Sequence, residues 1–110
     1  MPPRLRLRAS RDFRRVYATR RRHDGHLVAV HYAPNQLDHP RVGFSVSTKV
    51  GGSVVRNLLR RRMKAVLRPV LDAAPEALDL VVVARPAAAA AGFAELEAEL
   101  RELVGRLVSL

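Results

Sequence analysis

Residues 41–64 read RVGFSVSTKVGGSVVRNLLRRRMK, with seven basic side chains and no acid. Two periodicities meet in this stretch. Val42, Phe44, Val46 and Thr48 alternate with Arg41, Gly43, Ser45, Ser47 and Lys49, the two-residue repeat of a half-buried strand. Gly51–Gly52 breaks that repeat. Ser53 then offers an N-cap, and helical spacing takes over from about 54 to 71, with Pro69 tolerated only near the end. A strand that feeds a helix and then another strand predicts an α/β sandwich.

The helix sorts its residues by face. With Arg56 at zero and about 100° per residue, Arg56, Arg60, Lys64, Asn57, Arg68 and Arg61 fall within an arc of roughly 140°. Val55, Leu59, Met63, Val66, Leu67 and Val70 occupy an arc of similar width beside it. Arg62 and Leu58 lie off the cationic stripe, and Arg62 reads as a side chain snorkelling from the apolar edge. Like charges at i, i+4 repel by a few tenths of a kcal/mol per pair, roughly 0.2–0.5. Three such steps run in a row through 56, 60, 64 and 68 with no acid to relieve them. An ordinary solvated face interleaves acids. The stripe therefore reads as a phosphate-binding surface.

Further out, the elements are simpler. PPRLRLR reads as an extended or irregular basic arm over residues 1–9, flexible in solution. Ser10 can cap a short helix in which Phe13, Val16 and Tyr17 share a face, with Asp12 in its first turn. Asp24–Gly25 signals a turn. HLVAVHYAP, 26–34, reads as a strand ended by Pro34, paired as a hairpin with 41–49. LDLVVVA, 78–84, is a buried strand, and FAELEAELRELVGRLVSL, 93–110, a scaffold helix with its acids outward. The order is α-β-β-α-β-α, with room for one more short strand before the basic helix. No repeat or linker divides the 110 residues, so one domain is expected.

The totals narrow the function. The formal charge of +10 points to a polyanion, nucleic acid before an acidic membrane. It also implies a compact state that gains stability when phosphate or sulfate is present. The preference for Arg over Lys, eighteen to two, fits phosphate recognition but also fits a GC-rich coding bias. The charge is uneven: residues 1–22 carry nine Arg against Asp12, whereas 72–110 carry seven acids against three Arg. No Cys, no membrane-length apolar run and no secretory signal are present, which reads as cytoplasmic. The four His lack metal-site spacing, and no Ser-His-Asp group or carboxylate pair is evident, so no catalytic residue and no protein metal site is assigned. Phe13 and Tyr17, one helical turn apart, have two readings: core packing, favoured by the residues alone, or ring faces for bases.

KVGGSVVRNLLRRRMK, taken with the Leu-Arg pair and DFRRVY before it, RVGFSVSTK leading into it and LDLVVVARP after it, resembles the bacterial ribonuclease P protein component. The resemblance spans nearly the whole chain. It implies a two-layer α/β sandwich like a domain of ribosomal protein S5, with a left-handed βαβ crossover. It also implies a non-catalytic subunit that pairs, one to one, with a large catalytic RNA. That RNA removes the 5′ leader of precursor tRNA with magnesium ions that it holds itself. The RNA-contacting set implied is Arg56, Asn57, Arg60, Arg61 and Lys64, with Arg68 continuing the stripe. The leader set implied is Phe13, Tyr17, Val28, Val30, Ser45, Ser47 and Lys49, which turns Phe13 and Tyr17 from core to binding residues. Two departures stand out: Leu58 replaces a basic residue after Arg-Asn, and Lys64 stands where Arg is common. A ribosomal or RNA-chaperone module with the same basic surface is the competing reading, and a membrane-surface protein a third.

Overall fold

The computed structural model describes residues 1–108. A short 3-10 turn, Pro3–Leu5, precedes α1 (Ser10–Ala18). Strands β1 (Arg22–Asp24), β2 (Val28–Pro34) and β3 (Arg41–Ser45) follow. The long helix α2 (Ser53–Ala73) leads to β4 (Leu78–Ala84), and a 3-10 turn at Pro86–Ala89 leads to α3 (Phe93–Gly105). The last two positions of the expected C-terminal helix, Ser109 and Leu110, lie outside the described residues.

The α/β class holds, and the strand order corrects the expected pairing. The sheet runs β1-β2-β4-β3. β2 and β3 are not a hairpin, because β4 lies between them, antiparallel to β2 and parallel to β3. The reason is burial: Asp79 through Val82 and Ala84 are all buried, so LDLVVVA needs a neighbour on each edge and cover on both faces. The hairpin partner of β2 is β1, whose RHD is too short and polar to read as a strand; the turn at Asp24–Gly25 joins them. The extra strand allowed before the basic helix is a turn at residues 48–50.

Alternation then separates two cores. Val28, Val30, Val42, Leu80 and Val82 face α2 and α3, where Met63, Leu67, Leu71 and Leu100 are fully buried. Each such side chain contributes roughly 1.5–3 kcal/mol by leaving water. The opposite face carries a smaller cluster of Leu7, Val16, Ala33 and Val81, with Phe13 and Val83 packed on it beneath α1. The N-caps are Ala9 and Gly52 rather than Ser10 and Ser53, and neither makes a side-chain cap bond.

Three polar devices fix the elements around this sheet. Asp79 is fully buried on the α1 side. It accepts hydrogen bonds from Arg41 at 2.9 and 2.8 Å, from Asn35 at 2.9 Å and from Arg15 of α1. Glu99 of α3 accepts from the backbone N–H groups of His26, Leu27 and Val28 at 2.8, 2.7 and 2.7 Å, closing the β1–β2 turn onto α3. The N-terminal arm is docked rather than flexible. Leu5 is fully buried, the Leu7 N–H donates to the Val42 carbonyl at 2.9 Å, and Arg4 pairs with Asp72 at 2.7 Å.

Candidate RNA interface

The α2 stripe is built as the wheel requires, while Val55, placed on the apolar arc, is exposed at the start of the helix. Leu59, Met63, Val66, Leu67 and Val70 are buried on the core side, which turns Asn57, Arg61 and Arg68 to solvent. Arg56, Arg60 and Lys64 are half-buried at the margin. Arg56 Nε donates to the Gly51 carbonyl at 3.2 Å, and Arg60 reaches the Asn57 Oδ1 at 3.1 Å and the Val46 carbonyl at 3.4 Å. Carbonyls orient these guanidiniums without neutralising them. Among the described residues, Arg56, Arg60, Arg61 and Lys64 form no ion pair; Arg68 lies 3.8 Å from Asp72, whose other oxygen is taken by Arg4. The stripe is thus fully cationic over its first three turns and partly compensated at its end. Arg62, off the stripe, sits 5.6 Å over the Phe93 ring.

The second surface lies between α1 and the sheet. Phe13 rests against Gly43, where an added Cβ would overlap the ring. Tyr17 meets His31 of β2 edge to face at 4.8 Å. Phe13 is half-buried and Tyr17 is 37% exposed, so each ring is packed on one side and open on the other. Core packing and open ring face each describe part of them. A cavity of about 390 Å³ opens beside Tyr17 and His31, edged by Arg20 and Arg22. Burial lowers the His31 imidazole below its ordinary range; Arg22 lowers it further and Asp24 opposes this. At neutral pH the ring is uncharged and offers a π-surface.

The leader set is only partly gathered here. Phe13, Tyr17 and the half-buried Ser45 border this face. Val28 and Val30 do not: both are 0% exposed in the main core on the other side of the sheet. Their places on the α1 face belong to Ala29 and His31. Nearly every side chain of LVAVHYA is apolar or aromatic, so its parity was not legible; the polar His31 among them was the one signal. β3 ends at Ser45, so Ser47 and Lys49 are exposed in the loop before α2 rather than on the strand. Gly43 gains a role from geometry, since only a residue without Cβ admits Phe13.

The two surfaces share a border. One cavity of about 280 Å³ is lined by Phe13 and Gly43 from the cleft and by Arg60 and Lys64 from the stripe. No helix among the described residues is long and apolar enough to cross a membrane, and no cluster of three metal-ligating side chains occurs among them.

The comparisons with known proteins agree with this geometry. A ribonuclease P protein component from Acidothermus cellulolyticus is 45% identical over 97% of this chain and 91% of its own. One from Alkaliphilus metalliredigens is 35% identical over 92% and 91%. The RNase P protein of Staphylococcus aureus superposes at TM-score 0.85, with 27% identity over 94% of each chain. That of Thermotoga maritima superposes at 0.83, with 27% identity over 92% and 96%. The sequence profile of the family described as Ribonuclease P matches residues 1–108. Fold, order of motifs and full-length similarity coincide, and the chain belongs to the ribonuclease P protein family.

Proposed function

We propose that this chain is the protein subunit of a ribonuclease P that removes the 5′ leader from precursor tRNA in the cytoplasm, with one protein bound per catalytic RNA. The α2 stripe binds the RNA subunit, and the cleft of Phe13, Tyr17, Ala29, His31 and Ser45 holds the single-stranded leader. The observation that carries this reading is adjacency: a cationic helix face, with no acid from Arg56 through Arg68, borders an aromatic cleft. Phosphates pair with Arg56, Arg60, Arg61 and Lys64, which fixes position without reading sequence. Bases stack on half-exposed rings, which suits a strand of any sequence.

The chemistry belongs to the RNA. Magnesium would there activate water and stabilise the leaving oxygen. The protein's own RNA-facing residues do not fit a magnesium site, because no carboxylate is among them. The protein's contribution is to bind and align the leader beside the RNA's active centre and to screen phosphate charge, which lowers the magnesium the RNA requires.

Reconstitution tests this. The protein alone is expected to cleave nothing, and added to a bacterial ribonuclease P RNA to restore precursor-tRNA cleavage at low magnesium. Cleavage unchanged by a protein that still binds RNA would favour the ribosomal or chaperone reading. Vesicle binding that survives competing RNA would favour the membrane reading.

A further inference from the structure

The N-terminal arm contributes charge where the two RNA surfaces meet. Leu5 and Leu7 are buried in different cores, so the arm crosses the sheet edge at Val42 with Arg6 and Arg8 alternating between them. Both arginines line the 280 Å³ cavity opposite Arg60 and Lys64 of α2, and the Phe13 ring forms one wall. Four cations therefore face one space, and no acid lines it. Among the described residues, none of the four has an ion-pair partner, and Arg6 Nε is buried with no hydrogen-bond acceptor at all. A buried guanidinium N–H without an acceptor is rare in native proteins. Converging like charges in a walled space raise the local potential and favour an anion.

We propose that Arg6, Arg8, Arg60 and Lys64 form a pocket for one phosphodiester of a bound RNA strand, with the adjoining base against Phe13. The idea rests on the RNA-binding function above and gives the arm a binding role within it. The volume lies just below the range of ligand pockets, roughly 300–1,000 Å³, so it suits one nucleotide unit and not a duplex. It exceeds what a lone phosphate needs, and its lining joins Phe13 of the cleft to Arg60 and Lys64 of the stripe. A strand leaving the cleft toward α2 would pass its backbone through this point. The arm is already held by Leu5, the Leu7–Val42 hydrogen bond and the Arg4–Asp72 pair, so little ordering remains to be done on binding.

The test uses the full chain and a short single-stranded oligoribonucleotide, with affinity measured across a KCl series. The slope of log K against log salt is expected to fall in magnitude by about 0.7, one phosphate's worth, in the double variant Arg6→Gln with Arg8→Gln. Lys64→Gln, which leaves the arm untouched, should reduce the slope at the same contact and so guards against misfolding of the arm variant. Arg101→Gln on α3 should change nothing. Inorganic phosphate, read by its shift of the thermal midpoint, is the second arm of the experiment. A phosphate shift lost in the double variant alongside an unchanged RNA slope would mean that the pocket takes free phosphate only, and would overturn the proposal. An intact wild-type slope that both variants retain overturns the pocket alone. Wild-type protein that binds no single strand overturns the function on which the pocket rests.

Discussion

The Phe13 ring lies against Gly43 so closely that a Cβ at position 43 would enter it, the nearest backbone atom on that side being the Leu7 carbonyl oxygen at 2.9 Å. Helix α1, strand β3 and the N-terminal arm thus meet at one missing side chain. The contact sets the depth of the cleft at its Phe13 end, because the ring descends as far as the strand backbone allows.

Gly43→Ala should therefore act on binding and stability together. The extra methyl has to displace Phe13 or part β3 from the arm, an overpacking cost of about 1–3 kcal/mol. Urea denaturation should show the lower midpoint. Affinity for a single-stranded leader should fall with it, while affinity for the RNA subunit stays near wild type. Unchanged stability and leader affinity would mean that the ring relaxes freely and that Gly43 has no positioning role.

Asp79 makes a second, opposite prediction about α1. Burial raises its carboxyl, yet hydrogen bonds from Arg41 and Asn35, the Arg41 charge and the Arg15 bond outweigh this and hold it below its ordinary value. A depressed carboxyl stabilises the fold above its unfolded pKa, about 3.9, and that stability is lost as pH falls from there through the folded value. Thermal midpoints should drop steeply below about pH 4 in wild type. Asp79→Asn should remove that dependence and cost about 3 kcal/mol at neutral pH, the low end for a broken buried network, because Arg15 and Arg41 keep side-chain exposures of 41% and 24%. An unaltered acid limb in Asp79→Asn would place the titration elsewhere.

What the sequence revealed followed the strength of its periodicity. The α2 stripe and its core face were legible because charge and apolarity separate over about four turns, from Arg56 to Val70. The bounds of LDLVVVA were legible because prolines flank it. Its central place was not, since an apolar run on both faces says only that it is covered. The resemblance put Val28 and Val30 in the cleft, where the fold places Ala29 and His31, and the strand's own pattern offered no check: when both parities of a strand are apolar, only tertiary contacts choose the face. The docking of the arm was written in the alternation of RLRLR, but the density of arginines masked two leucines that bury. Positions such as Ser47 and Lys49 depended on where β3 stops, which a continuing alternation does not show.

The two proposed RNA surfaces should come apart by mutation. Arg61→Ala removes from the stripe an exposed charge that has no ion pair among the described residues, so RNA-subunit affinity should weaken and its salt slope should flatten by about 0.7–0.9 for each phosphate that is no longer neutralised. Leader affinity should hold. Phe13→Leu keeps apolar volume on the second cluster but removes the ring, and should cost leader affinity about 1–3 kcal/mol if a base stacks there. Filter binding with each RNA separately distinguishes the two. A loss of both affinities in either variant would merge the surfaces into one.

Arg62 provides the sharpest check on the helical wheel, because it sits between Arg61 and Met63 in the most basic run of the chain yet faces away from the stripe. Its guanidinium lies over Phe93 at 5.6 Å, and Phe93 is 41% exposed, so the charge caps an aromatic ring that water would otherwise reach. That contact joins α2 to the first residue of α3. A cation on an exposed ring contributes about 0.5–1 kcal/mol. Arg62→Ala should thus lower stability by that amount while leaving RNA-subunit affinity, leader affinity and both salt slopes near wild type. Arg62→Lys should recover part of the stability, since the ammonium still reaches the ring but lacks the stacking plane. If Arg62→Ala instead flattened the salt slope as Arg61→Ala does, position 62 would belong to the phosphate-binding surface, and helix face would no longer decide which of these arginines meets RNA.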